Sequence, residues 1–493
     1  MKTKKMRTMS NLRTLSAAGA ASLFLMHGAA LAGPVGGAVH PGTGIANIIP
    51  LGGGQWLIQA SNGVVINYTS FNLLNTESVF FQQPSSTAHV LNRITNGMPT
   101  SLDGTISGNG IVFFANPAGV VFGPNSIVNA AGFYAAAANV DPMTFHNMAT
   151  SGGPYQFQFD ASAGGSVVVN PGANLIGGAA GVHLIGQQVA NHGLIRATNG
   201  GNVTMTAHNG VVTIGEFGGN FAVRINATGI DPGFQGVTNT GQLETVGGGG
   251  IMLGAGDLYS LAIRLEGNGI QGGHVHFGGS GLANETNTNG AVVLGADTTI
   301  NGDSMIFWST VDGAHNLNLV GNTAFHGQVG GTDALASVSV TGDTEITGGL
   351  VMTTGSQTYN GLVNLTGTNT LDAGDTLTAT GDMTSTGGSL TLIGANGVNV
   401  AGVNVQGAGN SLDITGVLTA TGDLTAQQDI TVNTDGAHVQ GNVHAVDGSV
   451  TFQNNSTVDL NVTAGQNVTF GNNAVVGGDV TATAGDATFG DDS

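Results

Sequence analysis

Few residue types in this chain could do covalent chemistry. It contains no cysteine, so thiol catalysis is excluded. It has no lysine after Lys5, which removes P-loop and Schiff-base lysines. His274-Val275-His276 sets two imidazoles on one face of a strand and could begin a metal site. No third ligand lies within sequence reach, so surface histidines and no metal are the expectation. Gly267-Asn268-Gly269-Ile270-Gln271-Gly272 has the spacing of a dinucleotide loop, but 85 glycines in 493 residues produce such matches by chance. Carboxylate pairs remain, because a stacked-coil fold aligns residues one repeat apart and glycoside hydrolysis needs two carboxyls flanking a bond. Asp382 and Asp423 hold equivalent places about two repeats apart, yet polar turn residues are the simpler reading for both. Asp486, Asp491 and Asp492 read as solvated turn residues, since the Gly/Asp nonapeptide of calcium-binding β-rolls is absent. The expectation is a chain without catalytic residues or cofactor; the alternative is a β-helical polysaccharide-processing enzyme.

The elements that would have to position any such group follow from composition. Charged residues make up 8% and aromatics 5%, with a mean hydropathy of +0.18. That is too apolar and too uncharged for a disordered segment, and the glycines show no collagen triplet. Of the 9 cations, five come first: Lys2, Lys4, Lys5, Arg7 and Arg13. The apolar stretch 15–31 and Ala30-Leu31-Ala32 follow, so residues 1–32 read as a secretory signal peptide cut after Ala32. Beyond it, only Arg93, Arg196, Arg224 and Arg264 stand against 29 carboxylates. Nucleic acid is therefore excluded as a partner, because phosphate binding needs clustered cations.

Short alternating runs punctuated by Gly and Asn dominate the rest. Val64-Val65-Ile66 and Ile111-Val112-Phe113-Phe114 each follow an Asn-Gly turn signal, at 62–63 and 109–110. One helix is expected, over Ala130–Ala138. Leu-Thr-Ala-Thr-Gly-Asp occurs at 377–382 and again at 418–423. Val-Thr-Phe at 450–452 returns at 468–470 and, as Ala-Thr-Phe, at 487–489. Ala173-Asn174-Leu175-Ile176 is echoed by His192-Gly193-Leu194-Ile195, an offset of 19. A drifting period near 20 built from strands describes one coil of a parallel β-helix. Val450 and Phe452 would point inward onto Val468 and Phe470. At roughly 20 residues per coil the chain after residue 32 makes about 23 coils, a rod on the order of 110 Å.

From about Gly33 to about Leu265 ordered blocks do more than repeat. Gly36-Gly37 opens them, and Ile66-Asn67-Tyr68-Thr69-Ser70-Phe71-Asn72 follows. Val79-Phe80-Phe81-Gln82-Gln83-Pro84-Ser85-Ser86 precedes Leu91-Asn92-Arg93-Ile94. Gly104-Thr105-Ile106 leads into Asn109-Gly110-Ile111-Val112-Phe113-Phe114-Ala115-Asn116-Pro117-Ala118-Gly119-Val120-Val121-Phe122-Gly123. In order and spacing this set resembles the N-terminal secretion domain of filamentous-haemagglutinin-like exoproteins of two-partner secretion systems, particularly the high-molecular-weight adhesin branch. The resemblance implies an all-β, right-handed parallel β-helix with an N-terminal cap. It also implies export across the outer membrane of a Gram-negative cell by a cognate pore, whose periplasmic peptide-transport-associated domains bind this domain. It carries the family's Asn-Pro-Asn-Gly motif onto Asn116, Pro117, Ala118 and Gly119, followed by Val120, and the Leu-Asn-Arg block onto Asn92 and Arg93. Ala118 departs from the family's Asn, so a turn hydrogen bond from that side chain is missing. Asn116, Pro117 and Gly119 keep the turn chemistry, and a plain turn between coils is the alternative role.

The expected organisation is a signal peptide at 1–32, a secretion domain at 33–275 and a repetitive β-helical shaft at 276–493, which stops mid-repeat and reads as incomplete. The expected function is that of a secreted surface adhesin facing a host or neighbouring-cell receptor. The delivery stalk of a haemolysin or contact-dependent toxin is a second alternative.

Overall fold

The computed structural model describes residues 33–217, 220–225, 235–255, 262–277 and 291–493. Ala30 and Ala32, with the rest of the expected signal peptide, lie outside the described residues.

Three short strands make each coil, and each strand pairs in parallel with its counterparts in the coils before and after. One face runs from Val64–Tyr68 through His89–Ile94, Ile111–Ala115 and Gly132–Ala136 to Val182–Gly186 and Val203–Ala207. It continues down the shaft to Val462–Ala464 and Val480–Ala482. In the shaft the strands alternate strictly: Leu377, Ala379, Leu418 and Ala420 are buried while the threonines between them face outward. The period of two that puts Val and Leu inside leaves Thr and Asn outside. Like residues stack on like, as the repeats imply. Val450 pairs with Val468, and Phe452 with Phe470 and then Phe489, their rings stacked at 5.2 and 5.4 Å. The repeated Leu377 and Leu418 are two coils apart, with Val398 between them.

Corners where no strand ladder is possible use side chains instead. Asp435 Oδ1 accepts from the Asn454 N–H at 3.1 Å, Asn454 Oδ1 from Asn472 at 2.8 Å, and Asn472 Oδ1 from Asp491 at 2.9 Å. Each coil thereby satisfies a backbone donor of the next, which explains why Asn and Asp recur at this spacing. At the other end an antiparallel cap covers the first coil. Ala46–Gly52 pairs with Gln55–Ala60, and Gly33–Val35 pairs with Ser70–Asn72.

Three expectations change. The stack has about 18 coils rather than about 23. Phe133 and its partner Val182 are 49 residues apart, and Val203 and Ile251 are 48 apart, so two segments leave the stack instead of adding coils to it. At the expected helix Ala130–Ala138 there are strands Ile127–Ala130 and Gly132–Ala136, the latter in register with Ile111–Ala115. Small buried alanines there fit between layers. The helix instead spans Pro142–Thr150, with Asp141 accepting from Thr144 N–H as its N-cap and Pro142 in the first turn. The echo of Leu175 by Leu194 is one residue out of register. Leu175 pairs with the fully buried Ile195, and Leu194 faces outward. A one-residue slip exchanges the two faces of a strand.

The two departing segments build a second layer. Gln156–Asp160 from the first pairs antiparallel with Val211–Phe217 from the second, which pairs with Asn220–Ile225. Together with the helix they cover the outer side of the face described above. Val65, Leu91, Phe113, Tyr134 and Ile185 meet Phe145, Phe157, Phe159 and Ile214 in a core separate from the coil interior. Strands Ile111–Ala115, Gly132–Ala136, Val182–Gly186 and Val203–Ala207 are buried at every position. That is why Ile111–Ala115 and Gly132–Ala136 are continuously apolar or small instead of alternating, while the other two bury His183, Thr204 and Thr206.

Candidate functional site

Asn116 ends the doubly buried strand Ile111–Ala115 and is itself fully buried. Its main chain closes a turn, the Gly119 N–H donating to Asn116 O at 2.9 Å, with Pro117 fixing φ at the second position. Its side chain is fully used. Nδ2 donates to Met98 O at 2.8 Å and Thr100 Oγ1 at 2.9 Å, and Oδ1 accepts from Ala118 N–H at 3.0 Å. The Asn116 N–H donates to Ala136 O, so this one residue joins three successive coils. Gly119 has φ +127°, and a Cβ there would meet Ser166 O at 3.0 Å. Its carbonyl accepts from Thr100 N–H, and Val120, fully buried, pairs with Thr100 and Val167. Ala118 contributes its backbone N–H to this turn, donating to Asn116 Oδ1.

Asn92 and Arg93 lie one coil earlier. Asn92 is buried, donating from Nδ2 to Phe113 O at 3.0 Å. Arg93 is half-buried and points to the opposite side of the strand. One guanidinium N–H donates to Asn67 Oδ1 at 2.9 Å, Asn67 being its register partner. Burial lowers the Arg93 pKa, and the Asp141 carboxylate opposes that shift. Below Arg93 the same row holds Ala115 and Ala136, whose small side chains leave a trough. The structure brings the two sequence motifs together here. Arg93, Ala115, Asn116, Pro117 and Ala118 line one cleft of about 220 Å³, closed on its far side by Ala138–Val140 as the chain departs toward the helix.

Sequence reasoning did not single out Asn67, Met98, Thr100 or Asp141 for this site. Asn67 and Arg93 are 26 residues apart, well over the period near 20 that the repeats suggest, so their pairing is not visible in the spacing. Also missed are two histidines under the second layer. His89 is 1% exposed against Tyr155 and Phe157, with no hydrogen-bond partner at Nδ1. His183 is fully buried between Ala180 O at 2.9 Å and Thr204 Oγ1 at 3.0 Å. Burial lowers both pKa values to about 4, keeping the rings neutral.

The other candidates stay apart. Asp382 and Asp423 share one exposed corner with Gly402 between them, two coils apart, and Asp423 Oδ1 already accepts from Asn442 N–H at 2.6 Å. Asp486 and Asp491 are exposed corner residues donating their N–H groups to Asn467 and Asn472, and Asp492 has a left-handed φ of 59°. His274 and His276 occupy strand Ala262–Phe277, but their side chains lie outside the described residues. Among the described residues no cluster of three or more His, Cys, Asp or Glu is arranged to hold a metal.

Comparison with known proteins bears on this half of the chain. The family model of the TPS secretion domain matches residues 55–291. Over 189 residues the chain is 28% identical to a heme/hemopexin-binding protein of Haemophilus influenzae, covering 37% of this chain and 20% of that protein. A second Haemophilus influenzae heme/hemopexin-binding protein is 31% identical over 83 residues, 17% of this chain and 9% of its own length. The chain thus spans a minor part of the curated relatives it matches. The crystal structure of the HMW1 secretion domain from Haemophilus influenzae aligns with a TM-score of 0.43 at 18% identity, over 91% of this chain and 100% of that one. That of the filamentous hemagglutinin secretion domain aligns with a TM-score of 0.36 at 14% identity, over 74% and 100%.

Proposed function

Because the chain belongs to the exoproteins that carry a TPS secretion domain, we propose that residues 33–275 are its export signal, recognised by a cognate two-partner pore in the outer membrane through periplasmic peptide-transport-associated domains. The shaft at 276–493 then serves at the cell surface as an adhesin, its Thr- and Asn-lined faces suited to many weak contacts. One observation carries the reading: residues Asn116, Pro117 and Ala118 of the turn and Arg93 come from separate sequence blocks and line one cleft. Asn116 itself is sealed inside, with every side-chain hydrogen-bonding group engaged inward. Its part is to hold the turn, so that Pro117, Ala118 and Arg93 form the surface a partner meets.

The test is an immunoblot of cells and medium with the gene for the neighbouring pore intact or deleted. The protein is expected in the medium only while the pore is present; unchanged export in the deletion strain refutes the reading. A polysaccharide-processing activity gains no support from Asp382 and Asp423, since the Asp423 carboxylate is committed to the Asn442 backbone and both sit on an exposed corner.

A further inference from the structure

Arg93 differs from the other well-placed cation of the rod. Arg196 also lies on an outer strand face, and its coil neighbour in the same row, Glu244, takes it in an ion pair, with Nε to Oε2 at 2.6 Å. In the row of Arg93 the neighbours are Asn67 on one side and Ala115 on the other, so the fold supplies no carboxylate. Asp141, whose charge acts on Arg93, caps the helix by accepting from Thr144 N–H at 2.8 Å. A guanidinium carries five N–H donors, and the Asn67 bond uses one of them.

The space beside it is shaped for a small occupant. The cleft is about 220 Å³, with Ile94, Pro117 and Val140 as apolar walls. That falls below the roughly 300 Å³ at which small-molecule pockets begin, and matches one side chain entering with a short stretch of backbone. A partly desolvated guanidinium with apolar walls favours a bidentate carboxylate. Charge over the whole molecule narrows the source. With 29 carboxylates and 9 cations, the chain repels polyanions. The anion must therefore be isolated on an otherwise uncharged or basic carrier.

We propose that the Arg93 cleft binds a single carboxylate borne by an extended polypeptide segment of the export partner, the side chain pairing with Arg93 while its backbone lies against Pro117 and Ala118. This rests on the export reading above and names the chemistry of its contact. The full chain is titrated with two fluorescent, end-blocked alanine pentapeptides, one with a central glutamate and one with a central glutamine. At low salt the glutamate peptide is expected to bind about tenfold tighter. R93Q is expected to erase that preference and R93K to retain part of it, since lysine keeps the charge without the bidentate fork. Equal binding of the two peptides, no binding of either, or an unchanged preference in R93Q overturns the proposal. Competition by acetate as effective as by the glutamate peptide overturns the assignment to a polypeptide source. The two readings separate cleanly. Export that needs the pore, together with no peptide preference, defeats only the cleft assignment. A peptide preference lost in R93Q, together with pore-independent export, defeats the export reading and with it the pore as carrier, and leaves the carboxylate site at Arg93 standing.

Discussion

Replacing Asn116 by alanine is the sharpest perturbation of the secretion-domain turn. The change removes two donations from Nδ2, to Met98 O and Thr100 Oγ1, and one acceptance at Oδ1 from Ala118 N–H. A bond whose freed partner is resolvated contributes about 1 kcal/mol net, whereas a partner left buried without a substitute costs about 1–3 kcal/mol. Met98 is 46% exposed and Ala118 half-buried, so solvent can replace those two bonds, and the full penalty falls on the buried Thr100 hydroxyl. The expected loss is about 3–5 kcal/mol, and it is local. In a stacked rod each coil contacts only its neighbours, so the loop at 95–99 and the segment at 137–141 should loosen while the shaft does not. Limited proteolysis of the full chain reads this directly, with early cleavage at 95–99 and unchanged cleavage beyond 291. Export reads the consequence: extracellular yield should fall several-fold, with precursor accumulating in the periplasm. Gly119→Val should act in the same direction through backbone strain, because its φ of +127° is unfavourable for a β-branched residue and its Cβ would press on Ser166 O. Ala118→Asn should be neutral, since only the backbone N–H of residue 118 is used. Wild-type proteolysis and export in Asn116→Ala would refute the argument that this side chain holds the turn.

Three further outcomes follow from the fold. Phe470→Ala removes the middle ring of the stack formed with Phe452 and Phe489 and should cost about 3–5 kcal/mol, seen as early urea unfolding of the C-terminal coils; an unchanged first transition would contradict the stacked core. His89 and His183 have folded pKa values of about 4, below the 6.5 of an exposed histidine, so the stability they confer is complete above pH 6.5. It is lost as pH falls from 6.5 toward 4, by at most about 3 kcal/mol for each. His89→Phe should flatten that dependence and raise the urea midpoint at pH 5, since Nδ1 has no partner to lose; an equally steep dependence in the variant would remove His89 from it. Far-UV circular dichroism should be β-dominated, in keeping with a single nine-residue helix among the described residues, and a helical spectrum would contradict the fold.

The shaft was legible because its coils are regular. Val450, Phe452 and their repeats at 468–470 and 487–489 sit where a period near 20 puts them, since alternating burial and in-register stacking are both written into spacing. Legibility failed where the chain leaves the stack. Ala130–Ala138 looks helical only in isolation; Gly132–Ala136 is a strand buried from both sides, and the covering layer comes from residues 156–160, 211–217 and 220–225, far along the chain. The real helix did announce itself, through Asp141-Pro142 and Thr144, but a single turn of capping chemistry is a weak signal beside an alanine run.

For the candidate site the division is similar. The sequence by itself determined the strand-built repeat, the acidic surface, the absence of thiol and lysine chemistry, and the Asn-Pro-x-Gly turn, because each depends on residue type and short-range spacing. Only the tertiary structure decided that Asn116 faces inward, that Arg93 stands over Ala115 beside that turn, that Arg196 has Glu244 and Arg93 has no such neighbour, and that His89 and His183 lie under a second layer. Those facts depend on which coil stacks on which, and one residue of slip or one departing loop changes the neighbour without changing any local pattern.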